Sequence, residues 1–184
     1  MAERASALTH LPPSGAESYF ALSEARYGSI LQVQAWPETL KTVQAVLISE
    51  LLDEETPPPG SAIIRSGTVV ATIAPGRFMM AGPANLSVRL ESALPASDAA
   101  VTDVSHGRVV LKLEGEAAES VLQGCVMIDL GKRVFPPGRV AQTAIHHIDV
   151  LVHRVDESHF ELWVLRSFAE SLAEWILDAS QASS

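Results

Sequence analysis

Hydrophobic and polar positions change period several times along the chain, and each change marks an element. Residues 1–28 hold no sustained period. Pro12, Pro13, Gly15 and Gly28 interrupt them, so the segment reads as an extended arm whose apolar points, Leu8, Leu11 and Phe20, could anchor it on a neighbour. Over residues 30–36, Ile30, Gln32 and Gln34 alternate with Leu31, Val33 and Ala35, which predicts a strand. Pro37 then opens a helix, because its fixed φ suits a first helical position. From Leu40 the positions Val43, Leu47 and Leu51 recur at helical spacing, with Val46, Ile48 and Leu52 widening the stripe. Asp53, Glu54, Glu55 and the prolines at 57–59 end it. Negative charge at a helix C-terminus opposes the helix dipole, so this acidic run is either a solvated terminus or a docking contact.

Residues 62–65 and 68–73 flank Ser66 and Gly67, a turn signal between β-branched runs that predicts a hairpin. A brief strand at 77–80 follows, and Pro83 opens a second helix with Leu86, Leu90 and Leu94 on one face. Residues 101–104 and 108–113, separated by Ser105, His106 and Gly107, read as another hairpin. Residues 116–123 form a short helix closed by Gly124. After Pro136, Pro137 and Gly138, two long strands at about 140–154 and 160–166 pair across Asp156, Glu157 and Ser158. Ser167 and Glu170 match the S-x-x-E capping box of a final helix. Its apolar stripe is Phe168, Leu172, Trp175, Ile176 and Ala179, and its wet face carries Glu170, Ser171, Glu174 and Asp178. This order predicts an α+β fold of layered antiparallel or mixed sheets with helices. No G-x-G-x-x-G or P-loop is present.

Composition narrows the function classes. The 184 residues are 47% hydrophobic and only 19% charged, against a usual charged share of about a quarter. A domain so poor in charge leaves apolar surface in water, which marks a partner surface. A formal net charge of −9, with no Lys/Arg cluster, argues against nucleic acid and anionic membranes as partners. No apolar run has signal-peptide or membrane-span length, so the expected location is the cytoplasm. Cys125, the one cysteine, excludes an internal disulfide and a thiolate metal cluster, and reads as a small buried residue.

Few residues could carry chemistry. Asp103, Ser105 and His106 have the residue types of a hydrolase triad, but strand neighbours point to opposite faces and no G-x-S-x-G elbow is present. His147 and His153 share a strand face yet stand roughly 20 Å apart at about 3.3 Å per residue. His147 and Asp149 could supply two metal ligands, but a third and fourth are missing. Arg154 and Arg166, at the ends of the paired strands, could fork onto a carboxylate or phosphate or pack as structural salt bridges. Trp163 suits a core or interface better than a stacking platform.

Spaced matches then accumulate along the second half. They are Thr102-Asp103-Val104-Ser105, Leu113-Glu114-Gly115, Gly124-Cys125 through Asp129-Leu130, Phe135-Pro136-Pro137-Gly138, Gln142-Thr143 and Leu165-Arg166-Ser167-Phe168-Ala169, running into Trp175-Ile176-Leu177. Together they resemble the aminomethyltransferase-like (glycine cleavage T-protein-like) folate-binding superfamily, and within it the gamma-subunit family of heterotetrameric sarcosine oxidases. The resemblance covers about residues 30–180. It implies an extended arm at 1–28, one folate-binding-like α+β domain of two similar halves at 29–180, and a tail at 181–184. It also implies a chain without catalytic or metal-binding residues of its own. Its alpha, beta and delta companions would carry NAD, FAD, FMN, zinc and a tetrahydrofolate site, and the assembly would oxidatively demethylate sarcosine to glycine. On that reading Arg77, His147, Arg154, Trp163 and Arg166 are the candidate interface or vestigial-pocket residues. A stand-alone folate-dependent transferase would need an acidic catalytic residue and roughly twice this length. An iron–sulfur maintenance protein would carry K-G-C-Y-x-G-Q, where this chain has Gln123-Gly124-Cys125-Val126-Met127.

Overall fold

The alternating runs sort, in the computed structural model, into two five-stranded antiparallel sheets, each with helices on one face. Residues 6–8, 20–53 and 55–182 are described. The readings placed on Leu11, Pro12, Pro13, Gly15 and Glu54 lie outside them. In chain order the elements are β1 (Ala21–Ala25), β2 (Ser29–Ala35), α1 (Leu40–Leu47), β3 (Ser61–Arg65), β4 (Thr68–Ala74), β5 (Arg77–Gly82), α2 (Leu86–Ala93) and β6 (Ala99–Asp103). They continue with β7 (Arg108–Glu114), α3 (Ala118–Gln123), β8 (Val140–Ile145), β9 (Ile148–Arg154), β10 (His159–Leu165) and α4 (Ala169–Ala182). The chain divides into two units, residues 27–105 and residues 1–26 with 106–184.

In the 27–105 unit the strand order is β3-β4-β5-β2-β6. Leu31 and Val33 of β2, Val70 of β4, and Phe78 and Met80 of β5 pack with Val43 and Leu47 of α1 and Leu86 and Leu90 of α2. The predicted hairpin forms at Ser66 and Gly67, whose φ values of 49° and 75° are the left-handed pair that a two-residue hairpin turn requires. α1 runs into a π turn, Ile48–Leu52, and Asp53 closes it at φ 60°. Gly28 belongs to a close approach: its N–H donates to Gly82 O at 2.8 Å, and a Cβ there would strike the backbone of Ala84.

In the other unit the order is β1-β7-β10-β9-β8. Val109, Leu111 and Leu113 of β7, Leu162 and Val164 of β10, and Val150 and Val152 of β9 form a core with Val121 and Leu122 of α3 and Leu172 and Ile176 of α4.

Several sequence expectations give way here. Residues 21–25 of the arm are a strand, Ala21 pairing with Glu114 and Ala25 with Val110. Leu8 and Phe20 pack on the core of their own unit, while Glu24 accepts from Ser6 Oγ and Ala7 N–H at 2.7 Å, so these anchors are spent within the chain. Residues 101–113 are not a hairpin: β6 pairs with β2 and β7 with β1 and β10. Ser105 Oγ accepts the Ile30 N–H at 2.8 Å and Val104 N–H donates to Ile30 O, which holds this end of the segment on β2. Residues 140–154 are two strands folded at His146, φ 54°. Gly124 stays right-handed at φ −70°. The capping box does not form: α4 is entered through a 3-10 turn, Arg166–Phe168, with Leu165 at its N-cap and no side-chain cap, and Arg166 N–H donates to Gly107 O instead. α4 also takes in residues 181–182, assigned above to the tail.

Gly28→Ala is expected to destabilise the protein by about 1–3 kcal/mol, the usual cost of overpacking against atoms that cannot yield. Thermal unfolding checks it, with a Tm lowered by roughly 2–4 °C per kcal/mol at this size; an unchanged Tm would refute the close approach.

Candidate functional site

Arg154, at the end of β9, is fully buried on the helix side of its sheet. A guanidinium has five N–H donors, and here each meets an acceptor. Nε donates to Asp156 O at 3.2 Å, Nη1 to Leu130 O at 2.8 Å and Phe135 O at 3.2 Å, and Nη2 to Glu119 Oε2 at 2.6 Å and Glu157 O at 3.0 Å. The Phe160 ring lies 4.9 Å below its carbon. Arg154 therefore ties α3, the 130–135 loop and the β9–β10 turn together, and has no donor left for a ligand.

His153 and Glu161 face each other across β9 and β10, both buried, with Nδ1 and Oε2 3.2 Å apart. Trp163 is a fully buried core residue two positions along β10. His159, at the start of β10, is half-buried, and its Nε2 is buried without a hydrogen-bond partner. Burial holds its pKa below the ordinary imidazole value, partly offset by the nearby carboxylates Glu161 and Glu114.

His147 is exposed at the β8–β9 turn, edge-on to Trp175 of α4 with ring centroids 5.6 Å apart, and His146 packs on the same indole. His146 and Trp175, without His147, line a cleft of about 640 Å³ together with Cys125, Met127, Thr143 and Asp178. Burial raises the Cys125 thiol pKa, and its Sγ donates to Val121 O at 3.3 Å, so it is a poor nucleophile. Arg166 sits elsewhere in the unit, in a cleft of about 540 Å³ with His106, Ser167 and Glu170. Arg77, in the other unit, is exposed and donates from Nε to Gln34 Oε1 at 2.7 Å. The five candidates thus do not converge: Arg154 and Trp163 are structural, His147 stands exposed against Trp175, Arg166 lines a separate cleft, and Arg77 lies on the 27–105 sheet. The Cys125–Trp175 cleft was missed because its lining comes from three distant stretches. Among the described residues no group of three His, Cys, Asp or Glu is placed to hold a metal ion, and no helix is long and apolar enough to cross a membrane.

Two antiparallel sheets, each backed by helices, define an α+β protein of the glycine cleavage T-protein type. The chain belongs to the GCVT N-terminal domain family, whose model matches residues 59–184. It is 35% identical over 116 residues to the sarcosine oxidase subunit gamma of Corynebacterium sp. (strain U-96), and 33% identical over 115 residues to that of Arthrobacter sp.. Those alignments cover 62% and 61% of this chain, and the chain spans 57% of the length of each relative. Among solved structures it is similar to a chain of the heterotetrameric sarcosine oxidase from Corynebacterium sp. U-96 in complex with pyrrole 2-carboxylate. That match has a TM-score of 0.80 at 30% identity, over 92% of this chain and 88% of the other. The glycine cleavage system aminomethyltransferase T from Bartonella henselae shares the fold, with a TM-score of 0.59 at 17% identity over 87% of this chain and 46% of the other.

Arg154→Met is expected to cost about 3–5 kcal/mol, because it leaves four carbonyls and Glu119 without their buried donor. Arg154→Lys recovers only part, since an ammonium cannot reproduce the fork. The urea midpoint at unchanged slope reads this, and a loss under about 1 kcal/mol would show the network to be dispensable. His159 gives a pH dependence. Its folded pKa lies below the unfolded value, so its contribution is complete above about pH 6.5 and is lost as pH falls through that value toward the folded pKa. Urea midpoints at pH 7.5 and 5.5 should converge in His159→Gln relative to the parent; equal pH slopes in the two proteins would contradict this.

Proposed function

We propose that this chain is the non-catalytic gamma-type subunit of a multi-subunit, flavin-dependent sarcosine oxidase. The observation that carries the reading is the match to a chain of the heterotetrameric sarcosine oxidase, with a TM-score of 0.80 over 92% of this chain and 88% of that one. The fate of the reactive side chains supports it: Arg154, His153, Glu161 and Ser105 are buried and engaged in structural hydrogen bonds. In this reading the other chains of a cytoplasmic complex do the chemistry. An alpha chain carries NAD and a folate site, a beta chain the flavins FAD and FMN, and a delta chain zinc. Sarcosine loses its methyl group by oxidation and leaves as glycine. The one-carbon unit passes to tetrahydrofolate or departs as formaldehyde, with oxygen reduced to peroxide. The gamma-type chain supplies a folded surface on which the others assemble, and cofactor chemistry stays with its companions.

Co-expression with the flavoprotein chains of a sarcosine oxidase tests this. The chain should elute at the volume of a larger complex that shows the visible absorbance of bound flavin. That material should turn over sarcosine, while the isolated chain does not. Elution of the chain alone, with flavin in a fraction that lacks it, would overturn the assignment.

A further inference from the structure

Sulfur is unevenly placed in this fold. Among the described residues it is carried by Met79, Met80, Cys125 and Met127. Met79 and Met80 lie on β5 and are 4% and 0% exposed. Cys125 is half-buried, and its Sγ donates to Val121 O. Met127 is 97% exposed, more than any other large apolar side chain among the described residues.

The backbone fixes that exposure. Val126 is buried and makes an antiparallel bridge with Ile145, and Ile128 packs against the same core. The chain bends between them and leaves the Met127 side chain outside. Gln123 holds the far side of the bend: its amide donates to Ile128 O at 3.0 Å and its Oε1 accepts the Leu130 N–H at 2.8 Å. Met127 is therefore displayed by a segment tied down on both sides, where it lines the Cys125–Trp175 cleft.

A thiol and a thioether differ in what an oxidant requires of them. A thiol reacts as its thiolate, and burial raises the Cys125 pKa, so little thiolate is present at neutral pH. A thioether has no proton to lose. Its lone pair attacks a peroxide oxygen directly, so access to the sulfur sets the order of reaction among the methionines.

We propose that Met127 is the peroxide-oxidation site of this chain. Its sulfur gives an electron pair to one oxygen of hydrogen peroxide; the S–O bond forms as the O–O bond breaks, the other oxygen leaves as water with both peroxide protons, and the product is methionine sulfoxide. A polar acceptor then stands where the cleft had an apolar side chain, in a lining shared with Trp175 and Ala179. A methionine sulfoxide reductase, with thiol as reductant, restores the thioether. The source of the peroxide rests on the oxidase reading above; the choice among the sulfurs does not.

Dilute hydrogen peroxide added to the isolated folded chain, read by tryptic mapping, tests the site. Cleavage after Lys112 and Lys132 puts Cys125 and Met127 in residues 113–132, where fragment ions separate them, and cleavage after Arg77 and Arg89 puts Met79 and Met80 in residues 78–89. Met127 should gain its oxygen at least about tenfold faster than Met79, Met80 or Cys125. In urea the three methionines should react alike, because unfolding equalises their access. Met127→Leu should keep Tm within about 2 °C of the parent and leave the 113–132 peptide without added oxygen. Oxidation of Met79 or Met80 as fast as Met127 in the folded chain, or of Cys125 ahead of it, overturns the site. The source is tested on the co-expressed complex during turnover of sarcosine, with and without catalase. Met127 sulfoxide that catalase prevents supports it, and none in an active complex overturns the source while the site stands. If no active complex forms, the subunit reading and the source fall together.

Discussion

A buried guanidinium must have every donor met, because an unpaired charge away from water costs several kcal/mol. Arg154 satisfies that constraint with five acceptors taken from α3, the 130–135 loop and the β9–β10 turn. The stretch between α3 and β8 contains no helix and no ladder strand, so its shape is set by what holds its carbonyls. Leu130 O and Phe135 O are held by one side chain. Gln123 Oε1 accepts from Leu130 N–H at 2.8 Å, and its amide donates to Ile128 O at 3.0 Å. Met127 and the mouth of the Cys125–Trp175 cleft are placed by these bonds.

The distribution of polar side chains follows the same logic. Residues that in another fold would be a base, an acid or a nucleophile are here turned inward and matched. His153 meets Glu161, and Ser105 bridges Asp103 and Ile30. Large apolar side chains are left exposed in both units, Ile64 and Val88 in one and Met127 and Val134 in the other, which is the chemistry of contact with other chains.

Local signals were readable where one residue type decides the backbone. Ser66 and Gly67 announced a hairpin because left-handed φ favours glycine, and the Leu86, Leu90 and Leu94 spacing announced α2. Errors came where a distant partner supplied the missing bond. The capping box at Ser167 and Glu170 is unused because the chain enters α4 through the 3-10 turn Arg166–Phe168, whose N-cap is Leu165. Residues 105–107 look like a hairpin turn, yet the strands on either side belong to different sheets, which no local composition encodes. The fold at His146 carries no Gly, Pro, Asn or Asp. Its one readable sign was length, since a strand spanning 140–154 exceeds the usual limit of about ten residues. Arg154 was recognised as a packed salt bridge or an anion fork, but its carbonyl partners could not be seen in the sequence. Neither could the cleft, whose walls come from residues 124–127, 143–146 and 175–179.

The placement of β1 has a consequence for how the polypeptide matures. One unit is continuous, residues 27–105, whereas the other draws on both ends of the chain, with Ala21 paired to Glu114. On the ribosome the continuous unit can finish as soon as β6 emerges, because all five of its strands are then available. β1 has to wait, and loop closure over so long a stretch is entropically costly and slow. Until β7 arrives to pair with it, the nascent chain carries an unpaired strand, and the sheet that draws on both chain ends is the last to close.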